Sequence, residues 1–125
     1  MNKLAEAWLL RDIRPMSNHP LDAIIAAPAH HDILFENDRV RILDTRLAAG
    51  HKTPIHAHEW PAALYVLGWS DFLRRDDRGA ILVDSRDRPA PAIGSGLWIE
   101  PLPPHSVENV GSGDLHIVAV EVKTA

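Results

Sequence analysis

The chain has 125 residues, 46% hydrophobic and 24% charged, with a formal net charge of −4 and a sequence pI near 6.0. That length fits one domain with one core, since a chain of this size buries roughly two-thirds of the surface its unfolded form exposes. The acidic balance argues against a clustered basic face for nucleic acid, and the absence of cysteine excludes disulfides and thiolate metal sites.

In chain order, residues 3–13 place Leu4, Ala7, Trp8 and Ile13 at helical spacing and predict a short amphipathic helix, ended by Pro15, Asn18 and Pro20. LDAIIAAP (21–28) reads as a second short helix or as an extended arm. Residues 1–30 are therefore set apart as an N-terminal arm and 31–125 as the main domain. Glu6 and Arg11-Asp12 interrupt the first apolar run, which lacks the features of a secretory signal, and no stretch approaches the ~20 apolar residues of a membrane span. The expectation is a cytoplasmic protein with neither a membrane nor a nucleic-acid partner.

From residue 33 the texture changes. VRILDTRLA (40–48), AALYVLGW (62–69), AILVDS (80–85), SGLWIE (95–100) and LHIVAVEV (115–122) read as strands rich in β-branched and large apolar residues. Turn-forming clusters at Asn37-Asp38, Ala49-Gly50, Asp77-Arg78-Gly79, Asp87-Arg88-Pro89 and Gly111-Ser112-Gly113 separate them. Short strands at regular intervals, without helical patterns between them, indicate an all-β sandwich or barrel. The run Arg74-Arg75-Asp76-Asp77 reads as a solvated turn in which opposite charges neutralise each other. His30 and His31, ahead of the first strand, read as surface or interface residues.

The segment GHKTPIHAHEWPAALYVLGW (50–69) carries the chemistry. His56 and His58 are two apart, so on an extended strand both imidazoles point to one face and make half a site for a borderline metal ion. Pro54 holds the residue before it extended, which suits entry into a strand. A third histidine, His105, follows Pro103-Pro104, with Asn109 four residues on.

These two segments resemble the two motifs of the cupin superfamily. Gly50, His56 and His58 fall on the spacing of the first motif, and Gly94, His105 and Asn109 on that of the second. The resemblance implies an all-β jelly-roll barrel with a short N-terminal arm. It also implies one divalent metal held by His56, His58 and His105, and a small-molecule ligand or substrate. Asn109 would orient the site by hydrogen bonding, and Trp60, Ala62 and Trp98 would shape the pocket. Many small cupins are dimers, and the apolar arm is consistent with a homodimer.

The departures matter as much. The glutamate of the first motif, usually a ligand, aligns with Ala62, and its glycine with Trp69; in the second motif Glu100 and Leu102 stand where proline and glycine are expected. Glu59 and Glu100 are the acids near enough in sequence to replace the lost carboxylate. An all-imidazole set suits iron(II), zinc, nickel or copper over manganese or magnesium. Three-histidine cupins include iron(II) dioxygenases acting on β-dicarbonyl compounds and thiols, so the resemblance implies a dioxygenase of a small chelating substrate, with iron(II) favoured. The alternatives are a non-catalytic ligand-binding or sensor cupin, and a zinc or nickel Lewis-acid isomerase or hydrolase. No residue stands out as a catalytic base.

Overall fold

The computed structural model describes residues 19–123. The helix expected over 3–13 lies outside them. The described chain forms one short helix, α1 (Ala23–Ala26), and nine strands: β1 (His31–Glu36), β2 (Val40–Leu47), β3 (His56–His58), β4 (Ala62–Gly68), β5 (Phe72–Asp76), β6 (Ile81–Asp84), β7 (Gly96–Ile99), β8 (Leu102–Asn109) and β9 (Leu115–Val122). No helix among the described residues is long and apolar enough to cross a membrane.

The strands pair antiparallel in two sheets, one in the order β1-β2-β9-β4-β7 and the other in the order β3-β8-β5-β6. The expected barrel is thus not closed. Strands pair only within their own layer, and the chain changes layer through loops, so two facing sheets enclose the interior as in a double-sheet jelly roll.

The five strands read from the sequence all form, and in β2, β4 and β9 alternation turns an apolar face inward. Along β2, Leu43 and Leu47 are buried, and along β9 Leu115 and Ala119 are buried. Leu43, Ala62 and Ala119 make the core cluster, with Ile24, Leu64 and Ile99 packed on it. The strand β5 (FLRRD) is a correction to the solvated-turn reading of Arg74 to Asp77: the turn begins only after Asp76. Its charges hid the strand, and pairing with β6 and β8 on either side supplies the stability that composition does not.

The segment 21–28 settles as a single helical turn capped by Asp22, whose carboxylate accepts from the Ile24 N–H. It packs against β2 and β3. Leu21 accepts a hydrogen bond from the Ala57 N–H at 2.7 Å, Ala23 and Ala27 are fully buried, and Asp22 forms an ion pair with Arg41 from β2. Arg41 is itself wholly buried. Its guanidinium meets Asp22 at two nitrogens (2.8 and 3.0 Å) and Glu121 of β9 through Nε (2.6 Å), and it lies over the Trp60 ring.

Removing one member of a buried ion network leaves the others charged and unpaired, at a cost of about 3–5 kcal/mol. Arg41→Met should therefore lower the unfolding free energy by about that amount in urea denaturation. A loss under about 1 kcal/mol would show that Asp22 and Glu121 find other partners.

Candidate metal centre

The spacing His-x-His does what strand geometry dictates. His56 lies opposite His105 across the β3–β8 pair, and His58 lies opposite Leu102. Between these pairs β8 has one residue more than β3, a bulge at Pro103-Pro104, where prolines are tolerated because they donate nothing to the ladder. The two motif glycines serve the approach: Gly50 and Gly94 adopt φ of 80° and 84°, the left-handed region that favours glycine.

The imidazoles converge. Ring centroids are 4.4 Å apart for His56 and His105, 5.1 Å for His56 and His58, and 5.6 Å for His58 and His105. A fourth joins them from the other sheet. His31, at the start of β1, is 4.9 Å from His56 and 5.5 Å from His58, and it is only 4% exposed. The surface reading of His31 is corrected here; His30 stays half-exposed. Sequence reasoning passed over His31 because nothing local distinguishes it from its neighbour; only its register against the inward Thr45 turns it to the interior.

Each ring is held by one nitrogen. Nδ1–H donates to the carbonyl of Ala27 from His31 (2.9 Å), of Pro54 from His56 (2.8 Å) and of Pro103 from His105 (2.8 Å). A carbonyl only accepts, so the proton resides on Nδ1 and the Nε2 lone pair is left for a ligand. His58 places Nδ1 at 3.4 Å from Glu121 Oε2. This is the carboxylate–histidine arrangement that raises the basicity of a metal-ligating ring. Burial alone would raise the Glu121 pKa; the hydrogen bonds from His58 and Arg41 overcome it and keep the carboxyl ionised below its ordinary range.

Burial pushes the pKa of His31 and His56 down to about 3 and that of His105 to about 4, beyond what their carbonyl hydrogen bonds restore. Near neutral pH these rings are uncharged, the form a metal requires. The donor atoms of His31, His56 and His58 lie within 4.8 Å of one another, which puts a common centre no more than about 2.8 Å from each, against roughly 2.0–2.1 Å for a formed zinc–imidazole bond. These three form a group able to hold a metal ion after small inward movements, with His105 against His56 beside them.

The lost motif carboxylate has a counterpart. Ala62 pairs directly with Glu121, so both face the interior, but Glu121 is committed to Arg41 and His58. Glu59 is exposed, and Glu100, at the rim, accepts from Trp98 Nε1; neither belongs to the cluster. Glu121 was missed because it sits 63 residues from His58 in a strand that otherwise reads as plain core.

Asn109 hydrogen-bonds to backbone and not to an imidazole ring. Its side-chain amide donates to Leu47 O and Gly113 O and accepts from Ser70 Oγ and Gly111 N–H, and its backbone N–H donates to His51 O, so it clamps the end of β2 to the loops around it. The three expected pocket residues, Trp60, Ala62 and Trp98, do line a cavity of about 680 Å³ between the sheets, together with all four histidines. Leu64, Leu97, Ile117 and Val107 make much of its wall apolar.

The buried histidines carry a pH signature. Their folded-state pKa lies below the ordinary 6.5, so the unfolded chain binds more protons between the two values, and the stability present above pH 6.5 is lost as pH falls toward 4 and 3. Each such ring contributes at most about 1.4 kcal/mol per pH unit over that window. Calorimetry of metal-stripped protein should show Tm falling steeply between pH 6.5 and 5, above the range where ordinary carboxyls titrate. A Tm constant over that interval would contradict the buried, neutral cluster.

No protein-family profile matches the chain, and no curated protein is similar to it in sequence. Solved structures are similar in fold. A cupin domain from Bordetella pertussis Tohama I superposes with TM-score 0.58 at 18% identity, over 75% of this chain and 92% of that one. An RmlC-like cupin family protein with a double-stranded β-helix fold, from Methanocaldococcus jannaschii, gives 0.52 at 12% identity over 90% and 91%. The polyketide cyclase RemF from Streptomyces resistomycificus gives 0.52 at 19% over 89% and 80%. At such identities the likeness extends to the fold and leaves the activity open: the chain has the cupin fold.

Proposed function

We propose that this protein binds one divalent transition metal through Nε2 of His31, His56, His58 and His105, and receives a small chelating organic ligand in the cavity beside it. The observation that carries this reading is the shared arrangement of the rings: four imidazoles meet, three with Nδ1 bound to a backbone carbonyl and the fourth facing a buried carboxylate. Rings buried only to fill space have no reason to gather with one donor nitrogen each of His31, His56 and His58 within 4.8 Å of the others. With nitrogen donors alone the set favours zinc, iron(II), nickel or copper over magnesium and manganese.

The bound ion would supply Lewis-acid polarisation of a ligand carbonyl or, as iron(II), the redox chemistry of a dioxygenase. The chain's own contribution is then positional. Glu121 and Arg41 hold His58, and the largely apolar cavity wall receives the ligand's body. The acids of the wall are Glu121, engaged with Arg41, and Glu100, bound to Trp98, so neither carboxylate is free to move a proton. The leading reaction is oxygenation of a β-dicarbonyl or similar chelate, for which ligand and oxygen are the reactants and no protein base is needed. Redox-neutral chemistry on zinc or nickel is the second reading. It is favoured by a cavity large enough for a ring-containing molecule and by the cyclase among the proteins of similar fold.

Protein purified without an affinity tag should contain about one equivalent of metal per chain by elemental analysis. His31→Ala should weaken metal binding as severely as His56→Ala, and beyond the roughly 10- to 100-fold that loss of an outer partner costs, while Glu121→Gln should fall within that outer-partner range. Wild-type metal affinity in His31→Ala would return the set to the three histidines of the two motifs. Oxygen uptake by the iron(II) form in the presence of a 1,3-dicarbonyl, absent from the zinc form, would establish the oxygenase. Uptake equal to that of free iron would leave the redox-neutral reading.

A further inference from the structure

Among the described residues, two buried side-chain nitrogens have no hydrogen-bond acceptor: Trp69 Nε1 and Arg74 Nε. Both residues line the cavity, and both flank Phe72, whose ring is 5.6 Å from that of Trp69 and 5.9 Å from the Arg74 guanidinium carbon. Buried donors normally find partners, so two orphans in one wall form an exception with a shared cause.

Register explains how Arg74 comes to be there. It pairs with Val107 on β8, two residues beyond His105, so Arg74 and His105 are diagonal neighbours on the inward face, with Cβ atoms roughly 7–8 Å apart. Val83 is its partner on β6, and Val83 and Val107 both line the cavity. Among the described residues no carboxylate pairs with Arg74, whereas its neighbour Arg75 turns outward to Glu108. The other charge close by, Arg88, has the same sign. A cation held among valines and an aromatic ring without an anion costs stability, and sites that bind something are where such costs persist.

We propose that Arg74 is the anion-recognition residue of this cavity, binding a carboxylate on a ligand whose other end faces the histidine cluster. The Trp69 N–H serves the same oxygens, and the ligand's apolar body lies against Phe72, Leu64 and Ile117. This deepens the metal-centred reading and rests on it for the orientation of the ligand, while the anion site itself needs no metal. The substrate class becomes an acidic, largely apolar molecule of aromatic size that carries its chelating group apart from its carboxylate.

Two probes separate the two ends: 1-phenylbutane-1,3-dione, and the same diketone with a carboxylate at the para position of its ring. By isothermal titration calorimetry the wild-type protein should bind the carboxylate probe about tenfold or more tightly than the uncharged one, the scale of one charge-assisted hydrogen bond. Arg74→Met should abolish that preference, and Arg74→Lys should keep part of it. Zinc affinity should be the same in all three proteins. Without ligand the Tm of Arg74→Met should hold or rise, because a half-buried cation with an unpartnered Nε has been removed. No preference in the wild type, a preference surviving in Arg74→Met, or a Tm several degrees lower in that variant would each overturn the proposal. Failure to bind zinc would instead overturn the metal-centred reading. The same comparison in metal-free protein would then decide for Arg74, its preference supporting the anion site and its absence overturning it.

Discussion

Arg41 is the constraint on which the arrangement depends. A guanidinium with no solvent exposure has to be neutralised where it stands, and Asp22 and Glu121 do so from opposite directions. Satisfying it joins the turn before β1 to the centre of the five-stranded sheet. The Asp22 side fixes α1, whose Ala27 carbonyl holds His31, and the Glu121 side fixes the carboxylate that faces His58. One buried cation thus couples the packing of the N-terminal turn to the orientation of two histidines on different sheets. A hydrophobic residue of similar volume would serve packing alone as well or better, and it would leave Glu121 without the charge that keeps it ionised.

The histidine cluster is prepared by the same economy of partners. Three rings are held by backbone carbonyls two or four residues from themselves in sequence, so each brings its own anchor. Burial keeps them neutral, which removes proton competition near pH 7 and makes the empty cluster costly once the medium turns acidic. The loss of the motif glutamate changes the charge of the centre. A cupin site with a carboxylate ligand reduces the charge of its ion; an all-imidazole set does not, and it leaves that work to what enters the cavity. Arg74 adds to the positive field from the adjacent strand. With the proposed ion bound, the cavity would be apolar in its walls and cationic at the end where the histidines and Arg74 lie.

Much of this was legible in the amino-acid sequence. Richness in β-branched and large apolar residues between turn-forming clusters located β2, β4, β6, β7 and β9. The His-x-His pair was readable because strand geometry alone puts residues two apart on one face. The motif spacing brought His105 to the same site, and the rings of His56 and His105 do meet. The glycines at 50 and 94 stand where the backbone needs positive φ.

The tertiary structure decided what depends on partners distant in the chain. β5 looks like a turn by composition and is a strand because β6 and β8 hydrogen-bond to it. The expected barrel becomes two facing sheets because pairing stops at β1 and β7 in one and at β3 and β6 in the other, and edge pairing has no local code. Asn109 falls on the motif spacing yet clamps loops, since its acceptors are set by where Leu47 and Gly113 arrive. His31, Glu121 and Arg74 are each a polar residue in an unremarkable run, and each turns inward. Local sequence determines which residues share a face. Whether a charged or polar residue on that face can be buried depends on the group that meets it, and here those groups come from strands joined only by the folded chain.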